Sequence, residues 1–168
     1  MGTDTNHLEL GDGDIITGCT EIRYLGSIFT KDGRDTKNIS HGVTQARKII
    51  SAINGVWRSK GVEKHWKKMI YNSMVKCVPM YGAETWSLFE DDGWRIDGAE
   101  MDSLRRSTGI SELDRKTNEY IGEKMNAQDT ILDGITRKQL IWYSHVERMD
   151  PTRLPKIMVI WKPEGRKK

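Results

Sequence analysis

The sequence predicts a mainly helical α+β fold, with a small antiparallel β-sheet at the front and a helical bundle behind it. Three observations predict it. Residues 8–30 mix β-branched and aromatic side chains between glycine-containing turns. From Val43 onward, apolar residues recur at the three-and-four spacing of a half-buried helix. The 168 residues suffice for one domain or two small ones, but only 36% are apolar and the mean hydropathy is -0.64. The core is therefore modest and the surface well solvated.

Leu8-Glu9-Leu10, Gly11 to Gly13 and Ile15-Ile16 read as strand, turn and strand, because Gly-Asp-Gly accepts positive backbone dihedrals. Glu21 to Phe29 reads as a further strand bounded by the turn Lys31-Asp32-Gly33. Gly26 within it marks a bulge or another backbone passing close. Ser40 is placed to cap a helix whose stripe is Val43, Ala46, Ile50, Ile53 and Trp57. Ser59-Lys60-Gly61 ends that helix.

The stretch from Lys64 to Trp86 organises the chain. It starts basic, at Lys64, Lys67 and Lys68, and its apolar positions Trp66, Met69 or Ile70, Ser73, Cys77 and Met80 recur at helical spacing. It breaks at Pro79 and leaves through Tyr81-Gly82-Ala83-Glu84-Thr85-Trp86. A helix that arrives positive suits a nucleic-acid backbone; the plain alternative is a core helix with a solvated lysine face.

Asp91 and Asp92 suit the N-terminus of the next helix, which carries Ile96, Met101 and Leu104 and closes at Arg105 to Gly109. Ser111 to Asp114 offers a cap for a short helix. The last helix, from about Thr130, is expected to bury Ile131, Ile135, Trp142, Val146 and Met149, to display Arg137 and Lys138, and to end at Asp150-Pro151. His145 is expected to be buried and hydrogen-bonded, since no Ser, Cys or Asp constellation accompanies it. Lys156 to Trp161 reads as a short extended segment. The expected divisions are 1–33, 34–110, 111–161 and a basic disordered tail, 162–168, able to bind phosphate or direct nuclear import.

Composition narrows the function classes. No run approaches the ~20 apolar residues that a membrane span needs, and MGTDTNHLEL lacks the pattern of a signal peptide. An intracellular protein, nuclear or cytoplasmic, is expected, with no membrane partner and no small-molecule substrate. Cys19 and Cys77 lie far apart and read as free thiols. His7, His41, His65 and His145 are scattered without zinc spacing, so no metal site is assigned. Charge is blocked: residues 31–76 carry eleven Lys/Arg against three Asp/Glu, residues 84–102 one against seven, and residues 137–168 nine against three. Two basic blocks around an acidic one suggest a surface for a polyanion.

Three blocks carry a family resemblance: Tyr24-Leu25-Gly26-Ser27-Ile28-Phe29-Thr30-Lys31-Asp32-Gly33, then Tyr81 to Trp86 after Tyr71-Asn72-Ser73-Met74-Val75, then Ile141-Trp142-Tyr143-Ser144-His145-Val146-Glu147-Arg148-Met149-Asp150. In this order they resemble the last palm block, the region after the palm and the C-terminal signature of reverse transcriptases of non-long-terminal-repeat (LINE-type) retrotransposons. The resemblance covers nearly all of the chain after about Leu8. One departure is Ser144, where the family pattern usually has Gly.

The resemblance implies the end of the palm in 1–33, a thumb-like region in 34–110 and a C-terminal extension in 111–161, with Met1 opening a reading frame in a truncated element. It implies an RNA/DNA template–primer as partner, with Tyr24, Leu25 and Gly26 in the hairpin that grips the primer. Charge and helix face add Arg47, Lys64, Lys67 and Lys68 as phosphate contacts. Catalytic carboxylates and their Mg ions would belong to the absent palm, so the chain is not expected to be an enzyme by itself and needs no cofactor of its own.

Phe89-Glu90-Asp91-Asp92 imitates the family's metal-binding box, but Gly93-Trp94-Arg95 follows where an apolar strand should, and it comes after the Tyr-Leu-Gly block instead of before it. Two-metal chemistry also needs a further palm carboxylate. Two rivals stand beside this reading: a host-recruited scaffold binding protein through Trp57, Trp66 and Trp86, and a relic with no function.

Overall fold

A computed structural model of the chain describes residues 7–9, 15–127 and 129–162. The fold is α+β and mainly α. Two antiparallel hairpins lead: β1 (His7–Glu9) pairs with β2 (Ile15–Thr17), and β3 (Glu21–Tyr24) pairs with β4 (Ser27–Thr30). They form separate two-stranded sheets. The turn expected at Gly11 to Gly13 lies outside the described residues.

The strand expected from Glu21 to Phe29 is instead a hairpin folded at Leu25-Gly26, with Tyr24 opposite Ser27. Both turn residues have positive φ, 48° and 86°, as a two-residue I′-type loop requires. Glycine adopts this freely, whereas Leu25 does so at a cost of about 1–2 kcal/mol. Leucine is no turn signal, which is why Gly26 read as a bulge. The turn is held from outside: the Tyr81 hydroxyl donates to the Leu25 carbonyl at 2.6 Å. Beneath it, the N–H of buried Ile28 donates to Asn38 Oδ1 at 3.2 Å, docking β4 on the first helix.

That helix, α1 (Thr36–Ala52), begins ahead of Ser40. Tertiary bonds set its start: the Thr36 hydroxyl donates to Asp92 Oδ2 at 3.0 Å, and Asp35 Oδ2 accepts the Ser87 N–H at 2.8 Å. Such partners are remote in sequence and leave no local cap signal. The chain kinks at Ile53 into α2 (Asn54–Arg58), so two helices deliver the expected stripe. Val43, Ala46, Ile50 and Trp57 are all buried and Ile53 is half-buried.

The organising stretch departs furthest from its pattern. α3 (Lys64–Ile70) runs into a π-helical turn at Tyr71–Lys76. Its buried stripe is Lys67, Tyr71, Val75 and Pro79, every fourth residue, as the wider π turn favours. Of the expected inner face, Trp66, Met69, Ser73 and Cys77 are exposed, while Ile70 and Met80 are half-buried against the core. Lys67 explains the shift. Its stem lies in the core and its ammonium donates to the carbonyls of Trp57 (2.7 Å) and Ser107 (3.4 Å), near the C-terminal ends of two helices, where a cation is favoured.

The remaining helices are α4 (Glu90–Thr108), α5 (Asn118–Met125), α6 (Ile131–Glu147) and α7 (Leu154–Ile160). α4 closes as expected: Gly109 has φ 68° and the Ile110 N–H returns to the Arg105 carbonyl at 3.1 Å. A capping box of Thr130 and Asp133 opens α6. Ile131, Ile135 and Val146 are buried, Trp142 and Met149 only half so. His145 is exposed, contrary to expectation, its ring 6.1 Å from that of Trp142 on the outer side of the helix. The segment 154–160 is helical instead of extended. Pro155 stands in the first turn, where its missing N–H leaves no bond unmade, and no strand among the described residues pairs with Ile157, Val159 and Ile160.

Two apolar clusters make the core. One joins Ile39 and Val43 of α1, Ala83, Trp86, Ile96 and Ala99 of α4, and Ile131 and Ile135 of α6. The other joins Ile50, Trp57, Tyr71, Val75, Leu104, Ile121 and Met125. α1 and α4 run through both, and α5 and α6 share this core with the helices of 34–110. No helix among the described residues is long and apolar enough to cross a membrane.

Replacing Leu25 with Asn, which tolerates positive φ, is expected to raise stability by about 1 kcal/mol. Urea unfolding measures this; a loss of stability would show that the exposed leucine makes a contact more valuable than the strain it carries.

Candidate nucleic-acid interface

The residues singled out by resemblance and by charge fall into three places. Tyr24, Leu25 and Gly26 form the tip of the β3–β4 hairpin, with Tyr24 64% and Leu25 74% exposed. They meet Tyr81, not the lysines of α3. Arg47 is exposed on α1 and lines none of the clefts described below. Lys67 is removed from the set: only 9% of it is exposed, and its ammonium serves two backbone carbonyls inside the core. Helix spacing already sets it apart from Lys68, since neighbours on a helix point about 100° apart.

Lys64 and Lys68, four residues apart, do share a face. The fold sets that face against the end of α5, and the two helices enclose a groove of about 340 Å³ lined by Lys64, His65, Lys68, Glu123, Lys124, Met125 and Asn126. Lys68 Nζ donates to the Asn126 carbonyl at 2.5 Å, where α5 ends in a left-handed residue, φ 53°. Three lysines and a histidine thus converge against one carboxylate. Trp66 is 54% exposed and its ring lies edge-on to His65 at 5.4 Å, but it does not line the groove. Converging cations on an open groove are the surface chemistry that phosphates select. Lys124 was missed from the sequence because nothing local ties it to α3; only the packing of α5 brings it near.

The acidic block has other work. Asp92 is 1% exposed and bound to the Thr36 hydroxyl and to Arg95 Nη1 at 3.1 Å, while its neighbour Asp91 faces solvent. The Asp-Asp pair is therefore split between a buried tie and the helix surface. Asp102 pairs with Arg106 at 2.8 Å, and Glu84 approaches Lys138 at 4.0 Å. No group of three His, Cys, Asp or Glu side chains able to hold a metal converges among the described residues. Cys19 and Cys77 are free and exposed.

Glu100 is the one fully buried carboxylate at the junction of α4, the π turn and α6. It accepts the Tyr71 hydroxyl on Oε1 and the Ile131 N–H on Oε2, the latter at 2.8 Å. Burial pushes its carboxyl above the ordinary range, against the pull of these donors and of Lys76. The same burial, with the carboxylate next to it, raises the Tyr71 phenol and keeps it a donor.

Comparison with protein-family models, curated proteins and solved structures finds no match for this chain.

Glu100 yields a signed pH prediction. A carboxyl raised in the folded state adds stability below its unfolded value, about 4.5, and that stability is lost as pH rises through the folded value. Glu100→Gln keeps an acceptor for Ile131 and a partner for Tyr71 without the buried charge. Its stability relative to the parent is expected to improve between pH 4.5 and neutrality. Glu100→Ala, which strands two buried donors, is expected to cost about 2–4 kcal/mol. Urea titrations across pH check both; a Gln variant whose deficit grows with pH would contradict the assignment.

Proposed function

We propose that the chain is the end-of-palm, thumb and C-terminal-extension part of a retrotransposon reverse transcriptase, and that it holds an RNA–DNA template–primer by its phosphates. Three sequence blocks in family order support the origin. The observation that carries the binding is the groove between α3 and α5, where Lys64, Lys68 and Lys124 converge. Contacts of this kind supply affinity and position the duplex without reading its sequence. In this reading the chemistry, and the Mg ions it needs, belong to a palm that this chain does not supply. The hairpin tip Tyr24-Leu25-Gly26 is then a separate contact, for the primer strand.

The scaffold reading loses two of its three anchors. Trp57 and Trp86 are 1% and 7% exposed and belong to the two core clusters, which leaves Trp66 alone for a protein partner.

Binding to an RNA–DNA hybrid across a salt series tests the proposal. Lys64→Ala with Lys68→Ala is expected to lower the magnitude of the log–log salt slope by up to about 2, and adding Lys124→Ala by up to about 3, with no change in preference among sequences. Lys67→Met serves as the contrast: it lowers stability and leaves the slope as it was. A triple variant with the parent's affinity and slope would remove the groove from the account.

A further inference from the structure

A second cleft lies beneath the hairpin tip and has no part in the lysine groove. It encloses about 490 Å³ and is lined by Gly26, Asn38, His41, Gly42, Gln45, Cys77, Val78, Tyr81 and Trp86. Its size falls in the range that small organic ligands occupy. One wall is α1, where Asn38, His41 and Gln45 follow at intervals of three and four and so share a face. Gly42 sits among them because the opposite backbone comes close: a Cβ there would lie 3.3 Å from Pro79 Cα. The far wall is Tyr81, fixed by its hydroxyl bond to Leu25, and buried Trp86 also contributes to the lining.

The polar groups of this cleft are unspent. His41 and Gln45 make no side-chain hydrogen bond within the described residues, and Asn38 uses only its Oδ1, on the Ile28 N–H. All three are buried or half-buried and line the cleft. An aromatic wall facing an amide, an imidazole and a second amide matches a flat heterocycle with donors and acceptors around its edge. We propose that this cleft takes a single unstacked nucleobase, its face against Tyr81 and its edge on Gln45, His41 and the Asn38 amide. The assignment rests on the nucleic-acid reading above, and adds to it a site that recognises a base instead of phosphate. Aromatic rings and amide edges are how unpaired bases are held in general.

Free nucleosides carry no phosphate, so they probe this cleft without the lysine groove. Adenosine, guanosine, cytidine and uridine at millimolar concentration are titrated into isotope-labelled full chain and followed by amide NMR. At least one is expected to shift the signals of Gly26, His41, Gln45 and Val78 and the side-chain NH2 groups of Asn38 and Gln45. Gln45→Leu should weaken binding about tenfold, and Tyr81→Phe, which keeps the ring but frees the Leu25 turn, should weaken it less than Tyr81→Ala, which should abolish it. The Lys64→Ala, Lys68→Ala double variant should bind nucleosides as the parent does. Nucleoside binding in a chain that fails to hold hybrid would sustain the cleft and overturn the phosphate groove. Hybrid binding with no nucleoside shift would overturn the cleft alone. Shifts caused by N-acetyltryptophanamide but by no nucleoside would also overturn it, in favour of an aromatic peptide.

Discussion

Glu100 sits in the middle of α4 with one oxygen on the Tyr71 hydroxyl and the other on the first N–H of α6, and the rest of the bundle is arranged around that junction. The bond to Ile131 satisfies a helix-terminal donor that would otherwise be buried unpaired, and the positive end of α6 favours the carboxylate that accepts it. The bond to Tyr71 fixes the turn where α3 becomes π-helical. Three chain segments separated by 29 and 31 residues are thereby locked in one register. A buried carboxylate is a costly way to join helices, and its benefit is geometric: neither donor can move without stranding itself.

That register decides which lysines reach solvent. With Tyr71 held inward, the residue four positions earlier, Lys67, must also point inward, and it finds the ends of α2 and α4 for its charge. Lys64 and Lys68 are consequently turned outward, toward α5, whose last turn adds Lys124. The groove and the core are two faces of one constraint. The hairpin tip is placed independently, by Tyr81 and by Asn38, and so Tyr24-Leu25-Gly26 and the lysine groove lie on different regions of the surface.

The fold class was legible because it rests on local signals. The stripe Val43, Ala46, Ile50 and Trp57 reads correctly, as do the Ser111–Asp114 cap, the Gly109 stop and the start of α6 at about Thr130. Errors arose where a distant partner overrode the local pattern. Asp92 starts α1 early through Thr36, Tyr81 sustains a turn at Leu25, and backbone carbonyls draw Lys67 into the core. α7 was misread for the opposite reason: a run rich in β-branched residues is helical, and no strand among the described residues pairs with it. Of the candidate site, charge identified Lys64, Lys67 and Lys68, and helix spacing favoured Lys64 and Lys68 as the pair on one face, but nothing local showed that Lys67 is drawn into the core. Lys124 carries no signal in isolation.

The most direct measurement is hydrogen–deuterium exchange of the full chain, free and with a short RNA–DNA hybrid at low salt. The account predicts slower exchange in peptides spanning α3 and the end of α5, with a second, smaller effect at the β3–β4 tip, and no change in α7. Protection confined to α7, or none in the α3 and α5 peptides while the hybrid is bound, would contradict it.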